Sequence, residues 1–397
     1  MIKKKLIVSI LMVSIILSGC SNYKELNQIA IVVAMGIDYI PKENKYQVTI
    51  QIMNPSANAS QTSPQGIQGI PVVALEEKGR TITEAARNVS KKGSRTNIYS
   101  HVALVIIGET LAKEKSLNYI FDVFERDSKI RVNIPVIIAR DKNVNTVMNN
   151  IASLDKISSK SIVGKIKNTS SLLGENQETL MREAISAISS SGREPVINGA
   201  SLENESKTSQ TLENMEKVNS SYDTINGTGI FRDGKLVGWL DGPQAKSIQI
   251  IDNLIKETNI QIPCNKKEYD SMEITRLKSK TEVKMKGNIP IINIKVNSIG
   301  HIDEVLCNDN FDKAITLNKY EKLAENVLKQ SIEKGISEVK KLGGDAFGFG
   351  EKLHMTNPKI FKKYEGNWND TFKKSKVSVN VDIQINNVGM RKKPYPF

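Results

Sequence analysis

Residues 28–39 read QIAIVVAMGIDY. A run this apolar and this rich in β-branched side chains has no polar face to give to water. It predicts a strand buried on both sides, which requires elements packed above and below its sheet. The next segment, YIPKEN (39–44), carries Pro and Asn and reads as a turn. After it KYQVTIQIM (45–53) alternates, with Tyr46, Val48, Ile50 and Ile52 on one face, as a half-buried strand does. NPSANASQTSPQGIQG (54–69) then reads as a mobile loop from its Ser, Asn, Gly and Pro content.

Helical and extended patterns alternate from there. TITEAARNVSKK (81–92) opens on Thr81 with Glu84 three residues later, a capping-box spacing. YSHVALVII (99–107) reads as a strand, TLAKEKSLNYIFDVFER (110–126) as an amphipathic helix and IPVIIA (134–139) as a buried strand. VNTVMNNI (144–151) starts another helix, and MREAISAISSS (181–191) forms the last before Gly192 and Pro195. This succession predicts an α/β domain over 20–198.

The stretch 200–225 is polar and charged, with too little apolar surface to offset its ordering, and 199–226 is expected to be a linker. Beyond it GTGIFRDGKLVGWLDG (227–242) reads as a tight hairpin with Arg-Asp-Gly at the turn. Residues 273–305 hold two or three strands with a Gly-Asn turn at 287–288. Leu323, Val327, Leu328, Ile332, Ile336, Val339 and Leu342 recur at helical spacing in 316–342, and Gly343 and Gly344 end that helix. In KVSVNVDIQIN (376–386) Val377, Val379, Val381, Ile383 and Ile385 alternate strictly. One long helix on an antiparallel sheet makes 227–397 an α+β domain, with a small middle domain at 227–262 as the alternative division. The fold class is thus α+β, or mixed α/β, with several mixed-sheet domains flanked by helices.

The N-terminus has a different purpose. MIKKKLIVSILMVSIILSGC places Lys3, Lys4 and Lys5 before the apolar run Leu6–Leu17. As a helix that run reaches roughly 18 Å, short of a bilayer core of roughly 30 Å. It fits a secretory leader over 1–19, and Leu17-Ser18-Gly19-Cys20 resembles a bacterial lipobox, in which the Cys thiol receives a diacylglycerol. The mature chain is expected outside the cytoplasmic membrane, tethered to the bilayer at Cys20.

Composition suits that place. The formal charge of +13 falls to +10 once Lys3, Lys4 and Lys5 leave with the leader, which favours anionic lipid or wall polymers. Nucleic acid is disfavoured by location and by aromatics at only 5%. Besides Cys20 there are Cys264 and Cys307, which either form one disulfide across a long loop or remain two separate thiols. His101, His301 and His354 lie in different segments, and no HExxH, paired CxxC or GxSxG occurs, so the common zinc and serine-hydrolase signatures are absent. No catalytic residue, metal or cofactor is expected.

In order along the chain, ELNQIAIVVAMGID (25–38), HVALVIIGETLA (101–112), VFERDSKIRVNIPVIIA (123–139), GTGIFRDGKLVGWL (227–240), GDAFGFG (344–350) and WND (368–370) resemble the Ger(x)C family of spore germination lipoproteins, C subunits of nutrient germinant receptors. The family's usual Trp-Asp after the lipid Cys is replaced by Ser21-Asn22. The matching positions are Asp38, His101, Arg126, Asp127, Arg131, Gly229, Phe231, Gly238, Trp239, Gly348 and Gly350. The resemblance implies a non-enzymatic lipoprotein on the outer face of the spore inner membrane, beside two integral membrane subunits, needed for nutrient-triggered germination. Its residues also have structural readings. His101 is expected to be a hydrogen-bonded histidine before a buried strand, and Arg126-Asp127 with Arg131 a cap and ion-pair cluster at a helix end. Trp239 is expected to seal a hairpin, and Gly348-Phe349-Gly350 to form a turn that follows a helix without opening one. A solute-binding lipoprotein of a transporter is the alternative function, and an envelope hydrolase a third class.

Overall fold

The computed structural model describes residues 25–54, 70–127, 130–151, 155–217, 220–307 and 309–391. The leader, Cys20 and most of the 54–69 loop lie outside the described residues. The first half runs β1 (Ile29–Ile40), β2 (Lys45–Met53), β3 (Val72–Gly79), α1 (Ile82–Asn88), β4 (Thr96–Ile98), β5 (Leu104–Gly108), α2 (Glu109–Glu114), α3 (Leu117–Arg126), β6 (Val136–Ala139), α4 (Val144–Met148), α5 (Ser158–Leu172), α6 (Met181–Ser189) and β7 (Val196–Glu203). The second continues with β8 (Tyr222–Arg232), β9 (Lys235–Leu240), α7 (Gly242–Ile251), β10 (Thr258–Pro263), β11 (Tyr269–Lys286), β12 (Ile289–Glu304), α8 (Ala314–Leu342), α9 (Phe349–Thr356), α10 (Pro358–Phe361), α11 (Trp368–Lys373) and β13 (Lys376–Asn387). Among the described residues no helix is long and apolar enough to cross a membrane.

A mixed sheet carries the order β3-β2-β1-β5-β6-β7-β8-β9, with β4 paired to the start of β1. Its centre, β1-β5-β6-β7, is parallel, and both flanks are antiparallel meanders. The parallel centre explains the unbroken apolar run of β1 and the buried strand β5. Leu104 and Ile106 face α4 and α5, packing with Val144, Met148 and Ile162. Val105 and Ile107 face the other way, packing with Ile82, Phe121 and Phe124. A strand covered on both faces has no use for polar alternation.

The second sheet is β10-β11-β12-β13 under α8. Tyr320, Ala324, Leu328, Ile332, Ile336 and Val339 of α8 join the core that holds Ile260, Met272, Ile292, Val379 and Ile383. The expectation of a purely antiparallel sheet is corrected here, because β13 lies parallel to β12. The intervening helices α8 to α11 return the chain to the end where β12 began, which an antiparallel neighbour would not need.

Several boundaries shift. The helix expected over 110–126 breaks into α2 and α3 because Ser116 stops one and caps the other, its hydroxyl accepting from Asn118 N–H. The strand expected from Tyr99 begins only at Leu104, after a turn. The polar stretch 199–226 is no simple linker. Its two ends are β7 and β8, paired antiparallel from Val196–Ile230 to Glu203–Tyr222, so the first sheet passes straight through it. Its polar side chains find partners inside the fold: Asn214 donates to Ile151 O and Ser221 O at 2.9 Å each. The hairpin expected at 227–242 is present as β8–β9, with Asp233 and Gly234 both at positive φ, as a tight two-residue turn requires.

Candidate functional site

Motifs far apart in sequence meet where the two sheets join. The segment after α6 supplies Ser190 to Glu194, the β8–β9 turn supplies Arg232 to Gly234, and the approach to α11 with its first turn supplies Glu365 to Asp370. Together they line a cavity of about 440 Å³. Glu194 binds both partners: its carboxylate accepts from Asp233 N–H at 3.0 Å and from Asn369 Nδ2 at 2.7 Å. Its backbone N–H donates to Asp345 O at 2.9 Å. Burial pushes the Glu194 carboxyl above its ordinary range, against the lowering effect of those donors. Arg232 pairs with Asp370 at 3.1 Å, and the fully buried Phe231 lies under the turn. Arg193 reaches Asp252 and, at 3.4 Å, Glu351.

GDAFGFG folds around one buried carboxylate. Asp345 is completely buried and accepts from Phe347 N–H at 3.2 Å, Gly350 N–H at 2.9 Å and Trp368 Nε1 at 2.7 Å. The sequence expectation is corrected at this point: Gly348, at φ 66°, is the cap residue of α9, so the motif does open a helix. In that first turn the Gly350 N–H donates to Asp345 and the Glu351 N–H to Gly192 O at 3.0 Å, so the protein's own acceptors occupy the helix start. Gly350 leaves room for Trp368, whose ring nitrogen stands where a Cβ would be. Burial lifts the Asp345 carboxyl to about 6 despite its donors.

A second convergence lies outside the carboxyl ends of β1, β5 and β6, where open α/β sheets place their crevices. Asp38, Glu76, Glu109, Asp141 and Lys142 line a cavity of about 720 Å³. Asp38 accepts from Val144 N–H at 3.1 Å and so caps α4, and Gly108 is small because the Asp38 carboxylate occupies the space beside it. Burial pushes Asp38 up to about 6, the Val144 N–H opposes this and the nearby Glu76 charge adds to it. Glu109 is pulled upward by burial, but Lys113, the Asp141 N–H and Trp239 Nε1 together hold its carboxyl below the usual range. Trp239 donates to Glu109 at 3.1 Å while the Arg140 guanidinium stacks 4.7 Å from its ring centre.

The remaining sequence-derived positions do not join either cavity. His101 is exposed in the turn before β5. Arg126 is exposed and pairs with Asp122 at 2.7 Å, Asp127 ends α3, and Arg131 is exposed. Gly229 sits opposite Trp239, and Gly238 opposite Ile230, in the β8–β9 ladder. Cys264 and Cys307 are joined as a disulfide across a separation of 43 residues. Beside it Asp270 accepts from Leu306 N–H at 2.7 Å and Cys307 N–H at 3.0 Å. Sequence reasoning missed Arg193, Glu194 and Glu109: Arg193 and Glu194 are adjacent charges in the connection between α6 and β7, and Glu109, though inside HVALVIIGETLA, was not singled out within it.

The comparisons with known proteins match both halves. Residues 22–202 match the family model described as spore germination protein N-terminal domain, and residues 226–389 match spore germination B3/GerAC like, C-terminal. Spore germination protein KC of Bacillus subtilis (strain 168) is 27% identical over 400 residues, covering 99% of this chain and 98% of that protein. Spore germination protein B3 of the same organism is 24% identical, covering 94% and 95%. The crystal structure of the GerBC protein superposes with a TM-score of 0.57 at 19% identity, covering 89% of this chain and 97% of that one, which establishes a common fold. With both of its halves matched in order, this chain belongs to the Ger(x)C family of spore germination proteins, the C subunits of germinant receptors.

Proposed function

We propose that this protein is the lipid-anchored subunit of a nutrient germinant receptor, held at the outer face of the spore inner membrane and acting without catalysis through contacts with two integral membrane subunits. The observation that carries this reading is the end-to-end alignment with spore germination protein KC, in a chain whose residues 17–20 resemble a lipobox. Two acyl chains on Cys20 confine the domain to the membrane plane and raise its effective concentration beside its partners. The polar junction around Glu194, Arg232 and Asp370, built from the motifs of both halves, is the rigid scaffold that keeps those contact surfaces in fixed relation.

The test is Cys20→Ala at native expression. The variant protein should fold, judged by an unchanged far-UV spectrum of the mature domain, yet leave the membrane fraction. Nutrient-triggered germination of the variant spores should fall to near the level of the deletion strain. Wild-type germination with the protein off the membrane would refute the tether.

A further inference from the structure

We propose that the outward face of the second sheet carries a binding site for a divalent transition-metal ion of the zinc class, made by Glu273, His301 and Asp303. This sheet has its core on one side only. Along β12 the even positions from Ile292 to Ile302 are buried toward α8, and the odd positions turn outward. His301 and Asp303 are two residues apart on that strand and so share the outward face. Glu273 on β11 is the direct cross-strand partner of His301 in the antiparallel ladder.

Three donor atoms converge as a result. His301 Nε2 lies 2.9 Å from Asp303 Oδ1 and 3.6 Å from Glu273 Oε2. All three atoms lie within 4.8 Å of one another. Two ligands each about 2.0–2.1 Å from one ion stand about 2.9–3.4 Å apart, from octahedral to tetrahedral angles. The two separations from the imidazole bracket that interval, so small side-chain rotations close the three donors on an ion.

Charge asks for a cation at this place. Among the described residues neither Glu273 nor Asp303 has a lysine or arginine in ion-pairing distance, and His301 is the basic group that both face. A neutral imidazole leaves two carboxylates side by side without compensation, which is unfavourable. A divalent ion neutralises the pair and takes the imidazole as its third ligand. Behind them Asn259 of β10, which pairs with Glu273 in the ladder, reaches the other Asp303 oxygen with Nδ2 at 3.5 Å. Such an outer contact orients a ligating carboxylate. One imidazole with two carboxylates suits zinc or another first-row ion better than magnesium or calcium, which prefer oxygen alone. The three side chains are 30–35% exposed, so an ion enters from solvent and water fills its remaining positions.

The mature protein carrying Cys20→Ala, which removes a thiol that would itself take zinc, is titrated with Zn²⁺ by calorimetry at neutral pH. The Cys264–Cys307 bond keeps the other two sulfurs out of the measurement. One Zn²⁺ per chain should bind with micromolar affinity, and Ca²⁺ and Mg²⁺ at least about tenfold more weakly. His301→Gln and Asp303→Asn, both at partly exposed positions, should each weaken Zn²⁺ at least about tenfold. His101→Gln and His354→Gln change the other two histidines, both exposed, and should leave the affinity as it was. Zinc should also raise the urea midpoint of the parent protein but not that of His301→Gln. Absence of saturable Zn²⁺ binding overturns the proposal, as does tighter binding of Ca²⁺ than of Zn²⁺. Unchanged Zn²⁺ affinity in folded His301→Gln overturns it too, since the ion would then sit at an adventitious place elsewhere.

Discussion

Asp223 shows how a single side chain sets a pH dependence. It is 1% exposed on β8, and its carboxylate has one partner, Asn150 Nδ2, while Lys165 Nζ is spent on the Asp223 backbone oxygen at 2.8 Å. Burial pushes the carboxyl up to about 7, and the charge of Lys165 recovers only part of that. Above pH 7 the fold holds a desolvated anion. Between pH 7 and the ordinary carboxylate range, the native chain keeps a proton that the unfolded chain has released. Stability therefore rises as pH falls through this window, on the order of 1.4 kcal/mol per unit. Asp38 and Asp345, raised to about 6, also release protons at the lower end of the range from pH 6 to 8, so Asp223 is isolated by comparing the wild type with a variant that cannot ionise there. Asp223→Asn cannot ionise and keeps an acceptor for Asn150. From pH 6 to 8 the variant should lose about 1 kcal/mol less stability in urea than the wild type, and it should be the more stable protein at pH 8. Parallel curves for the two proteins would remove Asp223 from the account.

At the scale of the element, the GDAFGFG turn that leads into α9 is organised by one carboxylate. Asp345 takes two backbone N–H groups and the Trp368 indole N–H, all buried. Asp345→Ala strands the three donors, and a stranded buried donor costs about 1–3 kcal/mol, with the losses not fully additive. The variant should lose roughly 3–5 kcal/mol in denaturant unfolding at unchanged m-value, whereas Asp345→Asn, which keeps one oxygen, should lose about half as much. A loss under 1 kcal/mol in the Ala variant would mean that the turn stands without its carboxylate. The same element marks the limit of the sequence reading. Periodicity made α8, β11, β12 and β13 plain, because each shows one face to a core and one to water. It made β1 plain for the opposite reason. GDAFGFG has no period, and its helix is set by a carboxylate and an indole 23 residues apart, a pairing that only the fold brings about. The helix α7 escaped notice too, since nearly all of it is buried, Lys246 and Gln249 included, and it has no polar stripe to read. The end of β7 and the start of β8 were hidden by polar composition: Asn198, Ser201, Asp223 and Thr228 are buried polar residues in mid-sheet. The site followed the same rule. Motif residues such as Trp239 and Asp233 were visible as motifs, while the pairing of Trp239 with Glu109 and of Asp233 with Glu194 is made only by the fold.

The whole molecule has no clean seam, and this decides how it should unfold. Strands β7 to β9 belong to the first sheet, yet their alternate residues serve different cores. Ile197, Phe231 and Leu236 pack with β1, β5 and α3, whereas Val196, Ile230 and Leu240 pack with α7, α8 and the second sheet. Cutting the chain at the polar stretch would bare both faces of a β ribbon and expose fully buried side chains worth about 1.5–3 kcal/mol each. Arg193, with Asp252 and Glu351, and Glu194, with Asp345 and Asn369, cross the same boundary with charged and hydrogen-bonded contacts. The halves should therefore lose structure together. The two tryptophans give the means to check this, since Trp239 lies in the first sheet and Trp368 in the C-terminal half. In Trp368→Phe the remaining indole reports on β9, and in Trp239→Phe it reports on α11. In each variant of the mature protein, the fluorescence and far-UV transitions in urea should share one midpoint, as a single cooperative unit requires. If the β9 probe and the α11 probe each departed from the far-UV curve, in opposite directions, the halves would be independent domains. The shared ribbon would then be a contact surface instead of a common core.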